Sequence, residues 1–225
     1  MILFYLQDPA PLQTEKTLSL LELIKNGGLG GQLIIGLLFV LLLMVTYIYF
    51  ERLFAIRSAI KVTPNFMPQI RSFVMNGKLD VAQQLCVQEN VPVARLISKG
   101  LSRIGRPLDD INTAIENSGR LEVYQLEKNI SILATISGAA PMLGFLGTVL
   151  GMVGVFIDLG NETSLSVKVI APGIMTAMIT TVFGLIVGIV SFIGYNYLVG
   201  RIGKLVYKME ITALEFMDLL NEPNK

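Results

Sequence analysis

Four of the threonines in the almost wholly apolar stretches of this 225-residue chain stand out by their placement. Thr176 and Thr180 are four residues apart, which places them on one face of a helix, with Thr181 beside them and Gly184 a turn further on. Thr148 lies in a second apolar stretch. A hydroxyl carries one donor and two acceptor positions. Its ordinary use in an apolar helix is to bond the carbonyl one turn back, and that is the expectation for a lone threonine. Several hydroxyls on facing helices can do more. They give a narrow polar pathway donors and acceptors without a fixed charge, which would cost about 3 kcal/mol or more at the centre of a bilayer. Thr148, Thr176, Thr180 and Thr181 are therefore the candidate residues of an ion pathway.

The same stretches contain no Asp, Glu, Lys, Arg or His. The chain supplies no titratable group at membrane depth. If protons cross here, the carboxylate that carries them must come from another polypeptide. Other chemistries are excluded more simply. Histidine is absent and Cys86 is the only cysteine, so neither an internal disulfide nor a cysteine-based metal site is available, and no metal, cofactor or catalytic residue is expected. An intramembrane enzyme is not expected, because the spans hold no histidine and no acid and Cys86 lies outside them. The net charge of +1 gives no basic character that would argue for nucleic acid.

The elements that must hold these threonines are legible from charge alone. Asn129 to Ile157 and Val169 to Gly200 are uncharged, and only Asp158, Glu162 and Lys168 are charged between them. A third uncharged stretch, Asn26 to Phe50, closes with Tyr47, Tyr49 and the pair Glu51-Arg52, an aromatic belt followed by a charged anchor. At about 1.5 Å per residue each stretch can cross roughly 30 Å of hydrocarbon. With 52% hydrophobic residues, the chain reads as an all-α integral membrane protein with three transmembrane helices in contact with membrane lipids. Lysine and arginine are unevenly placed: 11 of 18 fall between Arg52 and Lys128, and four more follow Gly200. That asymmetry puts both segments in the cytoplasm and the N-terminus and the loop near Asn161 outside. The start Met1-Ile-Leu-Phe-Tyr-Leu has no basic region and Asp8 interrupts it, so no cleavable signal peptide is expected.

Small residues and prolines mark how the spans pack. Gly144, Gly147 and Gly151 in the second span, and Gly184 and Gly188 in the third, give small-xxx-small pairs that let backbones approach within or between subunits. Pro141 is a candidate hinge deep in the second span, and Pro172 is expected at the first helical position of the third.

Between the first two spans the sequence predicts short helices. Thr63-Pro64 reads as a cap and first position, Phe66, Ile70 and Phe73 follow at helical spacing to Gly77, Leu79 to Gln88 forms a second helix, and Pro92 opens a third. After Pro107, the apolar positions Ile111, Ile115, Leu121, Leu126 and Ile130 predict one continuous helix rising into the second span. The third span continues past Arg201 through Ile202, Leu205, Met209, Leu214 and Met217. A cytoplasmic stalk built from extensions of the second and third spans follows.

The motif in the second span, Ala140-Pro-Met-Leu-Gly-Phe-Leu-Gly-Thr-Val-Leu-Gly, resembles the AP-x-x-G-x-x-GTV-x-G signature of the ExbB/TolQ/MotA proton-channel family. Ala171-Pro-Gly-Ile-Met-Thr-Ala-Met-Ile-Thr-Thr-Val-Phe-Gly-Leu resembles the family's APGI-x-x-AL-x-x-T-x-x-GL, and Tyr195-Asn196 and Glu51-Arg52 fit as well. The resemblance, closest to ExbB and TolQ, covers nearly the whole chain. It implies a homopentamer around the transmembrane helices of an ExbD- or TolR-like subunit, whose membrane aspartate takes up and releases protons. Thr148 and Thr181 match the family's lumen-facing threonines. Many ExbB and TolQ proteins carry glutamate at the position of Thr176. The implied function is a proton-channel stator subunit of an inner-membrane motor that energises a TonB- or Tol-type envelope-spanning system, with a TonB-like protein as a further implied partner. A non-conducting scaffold, or a motor of this family driving motility or using sodium, are the alternatives.

The division expected on this reading is a periplasmic or interfacial segment at 1–29 with a short amphipathic helix at 17–25, then spans at 30–50, 132–157 and 170–198. A cytoplasmic helical region at 51–131, a periplasmic loop at 158–169 and a cytoplasmic C-terminal helix at 199–225 complete it.

Overall fold

A computed structural model describes residues 28–161 and 167–222. The amphipathic helix expected at 17–25 lies outside them. The described residues form helices and no strand: α1 (Gly28–Ile60), α2 (Phe66–Met75), α3 (Leu79–Glu89), α4 (Pro92–Leu101), α5 (Leu108–Glu127), α6 (Ile130–Asn161) and α7 (Val167–Asn221). Three of them, α1, α6 and α7, are long and apolar enough to cross a membrane. The chain is thus an all-helical, multi-pass membrane protein.

The apolar helices form one layer. α6 and α7 pack along each other, and α1 lies against both. Ile34, Leu38 and Val45 of α1 meet Ile136, Ala140 and Val187 in a small core. Most other large side chains of these helices, such as Phe39, Phe145, Phe156 and Phe192, are exposed. In a membrane that costs nothing, because lipid tails are as apolar as the side chains themselves.

The charged half has its own core. α2 through α5 fold as a chain of short helices against the far end of α7. Phe66, Ile70, Val93, Ile97, Ile115 and Phe216 are all nearly inaccessible. Glycine fits where helices crowd: a Cβ on Gly100 would lie 2.5 Å from Phe216 Cε1 and 2.9 Å from Ile115 Cδ1. Gly77 and Gly105, with φ of 70° and 95°, make the left-handed turns that end their segments.

Local chemistry departs from the sequence reading in four places. Thr63 is not a cap. α2 begins at Phe66 after Asn65, and the Thr63 hydroxyl instead donates to Glu89. Pro172 is not at the first helical position, since α7 already begins at Val167. The helix after Pro107 does not run unbroken into the second span. It stops at Lys128, and Asn129 takes a left-handed φ of 63° before α6 starts. Asparagine tolerates that conformation because its short amide can bond locally, and here it separates α5 from α6. Of the second and third spans, only the third continues into the charged half as a single helix, 55 residues or about 80 Å long.

The fourth departure is the apolar stripe of α5. Leu121 is exposed, and Glu122 takes the buried position between Ile115 and Leu126. A carboxylate is tolerable there because Arg95 meets it in a fork, Nε and Nη2 each donating at 2.6 Å to separate oxygens of Glu122. Arg95 Nη1 donates further to the Asn90 carbonyl at 2.8 Å. Such bidentate pairs tie helices in register, here α4 to α5.

Cys86 is buried on α3, and burial pushes its thiol up to about 12. At pH 8 only roughly one thiol in ten thousand is then ionised, and the thiolate is the reactive form. Native protein should leave Cys86 untouched by a maleimide under conditions that label Arg103→Cys, an exposed position, within minutes. Unfolding in guanidinium should expose it stoichiometrically. Rapid native labelling of Cys86 would show that the α2–α4 packing is wrong.

Candidate functional site

The threonines are positioned by the contact between α6 and α7. At its centre the two backbones touch. A Cβ on Gly184 would lie 2.6 Å from the Ala140 carbonyl oxygen and 2.8 Å from Gly144 Cα. One on Gly151 would lie 2.8 Å from Ala177 Cβ, and one on Gly188 would lie 2.7 Å from the ring of Pro141. The glycines singled out in the sequence thus form a seam within one chain. Pro141 lies inside a continuous α6, its ring seated against Gly188. It gives no N–H to the Ser137 carbonyl, and that oxygen lies 3.1 Å from where a Gly188 Cβ would be.

Helices this close bring side-chain hydroxyls within reach of the opposite backbone. The Gly144 carbonyl accepts from Thr180 Oγ1 at 3.2 Å and from Thr181 Oγ1 at 3.1 Å. Further along, Ser191, fully buried, donates to the Leu133 carbonyl at 2.7 Å. Thr148 donates to Phe145 one turn back at 2.6 Å, and its oxygen lies 3.3 Å from Thr181 Oγ1.

Proton counting then separates the four threonines. Each hydroxyl has one proton. Thr148 commits its proton to Phe145, so the contact with Thr181 is donated by Thr181, whose proton is shared with the Gly144 carbonyl. Both oxygens keep acceptor capacity and have no proton left to give outward. Both residues are only partly buried on the flank of the hairpin. The pair can accept from water, from a protonated carboxyl group or from another donor, and it can coordinate a cation.

Thr180 and Thr176 are different. Thr180 is fully buried, bonded to Ala177 at 2.7 Å as well as to Gly144. A Cβ on Gly147 would lie 2.4 Å from its oxygen. Thr176 is buried at the α1 side, where a Cβ on Gly31 would lie 3.1 Å from its methyl carbon. The structure therefore brings Thr180 and Thr181 together on one carbonyl, with Thr148 beside Thr181, and sets Thr176 against a different helix.

Residues 88–211, more than half of the chain, match the family model described as the MotA/TolQ/ExbB proton channel family. This chain belongs to that family. It is 30% identical over 200 residues to an ExbB homolog named for biopolymer transport in Methanothermobacter thermautotrophicus, covering 86% of this chain and 67% of the relative. It is 27% identical over 214 residues to the Tol-Pal system protein TolQ of Pseudomonas aeruginosa, covering 90% and 93% of the two chains. An ExbB-like biopolymer transport protein of Helicobacter pylori is 38% identical over 86 residues, 38% of this chain and 57% of the relative, so only a little over half of that relative is spanned. The stretch that matches the MotA/TolQ/ExbB family includes both α6 and the whole glycine seam.

Two features of this seam have no mark in the sequence. The Gly144 carbonyl, on which two threonines converge, is a backbone group, and any residue type has one. Which glycines meet another backbone is also silent in the sequence: nothing lies within 4 Å of a Cβ added to Gly138 or Gly154.

That contrast is testable. Gly184→Ala drives a methyl into backbone atoms and should destabilise the folded hairpin by about 1–3 kcal/mol, seen as a lower melting temperature in detergent. Gly154→Ala, on the same pair of helices, should be neutral or stabilising by up to about 1 kcal/mol through helix propensity. Equal effects of the two substitutions would refute the seam.

Proposed function

We propose that this chain is the channel-forming stator subunit of an inner-membrane motor driven by the proton motive force. The observation that carries the reading is the Thr148–Thr181 pair: two hydroxyls with spare acceptor capacity on the flank of a hairpin whose uncharged stretches contain no Asp, Glu, Lys, Arg or His. Membership of a proton channel family supports it. The transported proton then rides on a partner, an ExbD- or TolR-like subunit with a membrane aspartate. A homopentamer of this chain surrounds that partner, with Thr148 and Thr181 facing it and Thr180 holding the seam behind them.

Acceptor-only hydroxyls favour the protonated aspartate, to which they can offer a bond, over the ionised one. Together with the apolar walls they raise the carboxyl's pKa toward the range where it can load and release protons. Thr176, set against α1, serves packing. The charged helices and the far end of α7 form a cytoplasmic stalk, with the N-terminus and residue 161 in the periplasm, and the motor energises a TonB- or Tol-type system.

The decisive measurement is ion flux from the purified complex in liposomes. Thr148→Val and Thr181→Val keep shape and remove the hydroxyl. Each should cost about 1–1.5 kcal/mol at the rate-limiting step, or about five- to tenfold in proton flux, with assembly intact. Thr176→Ala should leave flux near wild type. Replacing the partner's membrane aspartate with asparagine should abolish it. Comparable flux from this chain without any acidic partner would sink the proposal, and flux that follows a sodium gradient alone would change the ion.

Orientation has its own test. Cysteines at Thr14 and Asn161 should label in intact cells with an impermeant reagent, and one at Arg103 should not. The buried native Cys86 cannot serve as the inside reporter.

A further inference from the structure

Beyond the apolar layer large apolar side chains have no lipid to cover them, and two groups of them stay open to water. On α7, Tyr207, Ile211 and Leu214 follow one another at intervals of four and three residues, so they share one face. Tyr207 is 66% and Leu214 64% exposed. The row begins about 10 Å past Gly200, where the uncharged stretch ends, and runs on for about 10 Å more. Leu205, Met209 and Phe216 are buried on the opposite side of the helix. On α5, Leu121 and Tyr124 are 65% and 75% exposed, on the side away from the buried Ile111 and Ile115. Single exposed apolar residues are ordinary, whereas contiguous ones mark a surface that another molecule covers.

The two groups stand at the same height. α5 and α7 run antiparallel: Ile115 and Phe216 both close on Gly100, and nearer the apolar layer Gly119 and Val123 line one groove with Met209 and Ala213. Counted from those contacts, Leu121 lies level with Ile211 and Tyr124 with Tyr207, each to within about one helical turn. A membrane holds every copy of a chain at one depth and in one direction, so copies can join side by side only through patches of equal height. The patches also differ in charge. Glu210 and Glu215 flank the α7 row and Asp218 follows it, with Lys204 at its membrane end. Arg120 and Lys128 flank the α5 pair, with no acid on that face. Among the described residues none of these six is in an ion pair.

We propose that the α7 row of one copy packs on the α5 face of the next copy, joining the two outside the membrane. Tyr207 and Ile211 meet Tyr124 and Leu121, and Arg120 meets the acidic flank of the row. The two patches are unlike, so the contact is head-to-tail, and repeated around an axis along the membrane normal it closes a ring. Each α7 then ties the apolar layer of its own subunit to the charged core of its neighbour. The contact rests on the proposed oligomer, to which it gives an aqueous interface, and not on what the assembly conducts.

The test cross-links copies of the full chain in the membranes of the cells that make it. Tyr124→Cys carries one tag and Tyr207→Cys another; both positions are exposed, while native Cys86 is buried. With the two variants co-expressed, a short bismaleimide should give a band carrying both tags, several-fold stronger than the dimer band from either variant alone. Val87→Cys on α3, also exposed, replaces Tyr124→Cys as a control and should give no such band. Native mass spectrometry of the purified complex counts the copies in parallel. A multimer that gives no mixed band overturns this contact and leaves the oligomer standing. Same-variant bands as strong as the mixed one would show a two-fold contact between like patches and overturn it as well. Monomers alone would overturn the proposed oligomer together with the contact.

Discussion

At Gly144 and Gly184 two apolar helices meet backbone to backbone, and the arrangement of the membrane half depends on that contact. No hydrophobic force separates a helix–helix contact from a helix–lipid contact in a bilayer, so association rests on close packing and on hydrogen bonds between helices. The seam of Gly144, Gly151, Gly184 and Gly188 supplies the first. It also makes the second possible. With bulky residues at the crossing, the Thr180, Thr181 and Ser191 hydroxyls would stand too far from the opposite carbonyls to reach them. With glycine there, each has a backbone acceptor on α6.

The hydroxyls are then sorted by geometry. Those inside the seam spend their protons on carbonyls and leave no polar surface. Thr148 and Thr181 stand at its edge, bonded to backbone on one side and partly open on the other. A site of this kind is polar without being charged. It can sit among apolar side chains at little desolvation cost, and it can respond to a donor brought by a partner.

The charged half solves a different problem. Short helices joined by tight turns have little strength individually, and they are held by a shared core and by the Glu122–Arg95 fork beneath α5. α7 passes through both halves without interruption, whereas the path from α5 into α6 is broken at Asn129. α7 therefore joins the apolar layer to the charged core without a break, while α5 and α6 are joined through a two-residue link.

The sequence by itself determined three apolar helices, the charge asymmetry around them, the absence of Asp, Glu, Lys, Arg and His from their uncharged stretches and the identity of the threonines, glycines and prolines that matter. These follow from composition and spacing, because a bilayer demands length and apolarity that few soluble segments have. Tertiary structure decided the rest. Six glycines in α6 look alike in the sequence, yet Gly144 and Gly151 touch α7 and Gly154 touches nothing, since a crossing angle selects which turns meet. Four threonines were equivalent candidates, and only packing shows that Thr176 turns toward α1 while Thr148 and Thr181 share a flank. Leu121 and Glu122 exchanged their expected places because an arginine 27 residues earlier, Arg95, was brought over the carboxylate. The break at Asn129 was readable in principle, but an asparagine adopts a left-handed turn only where the folded chain requires one.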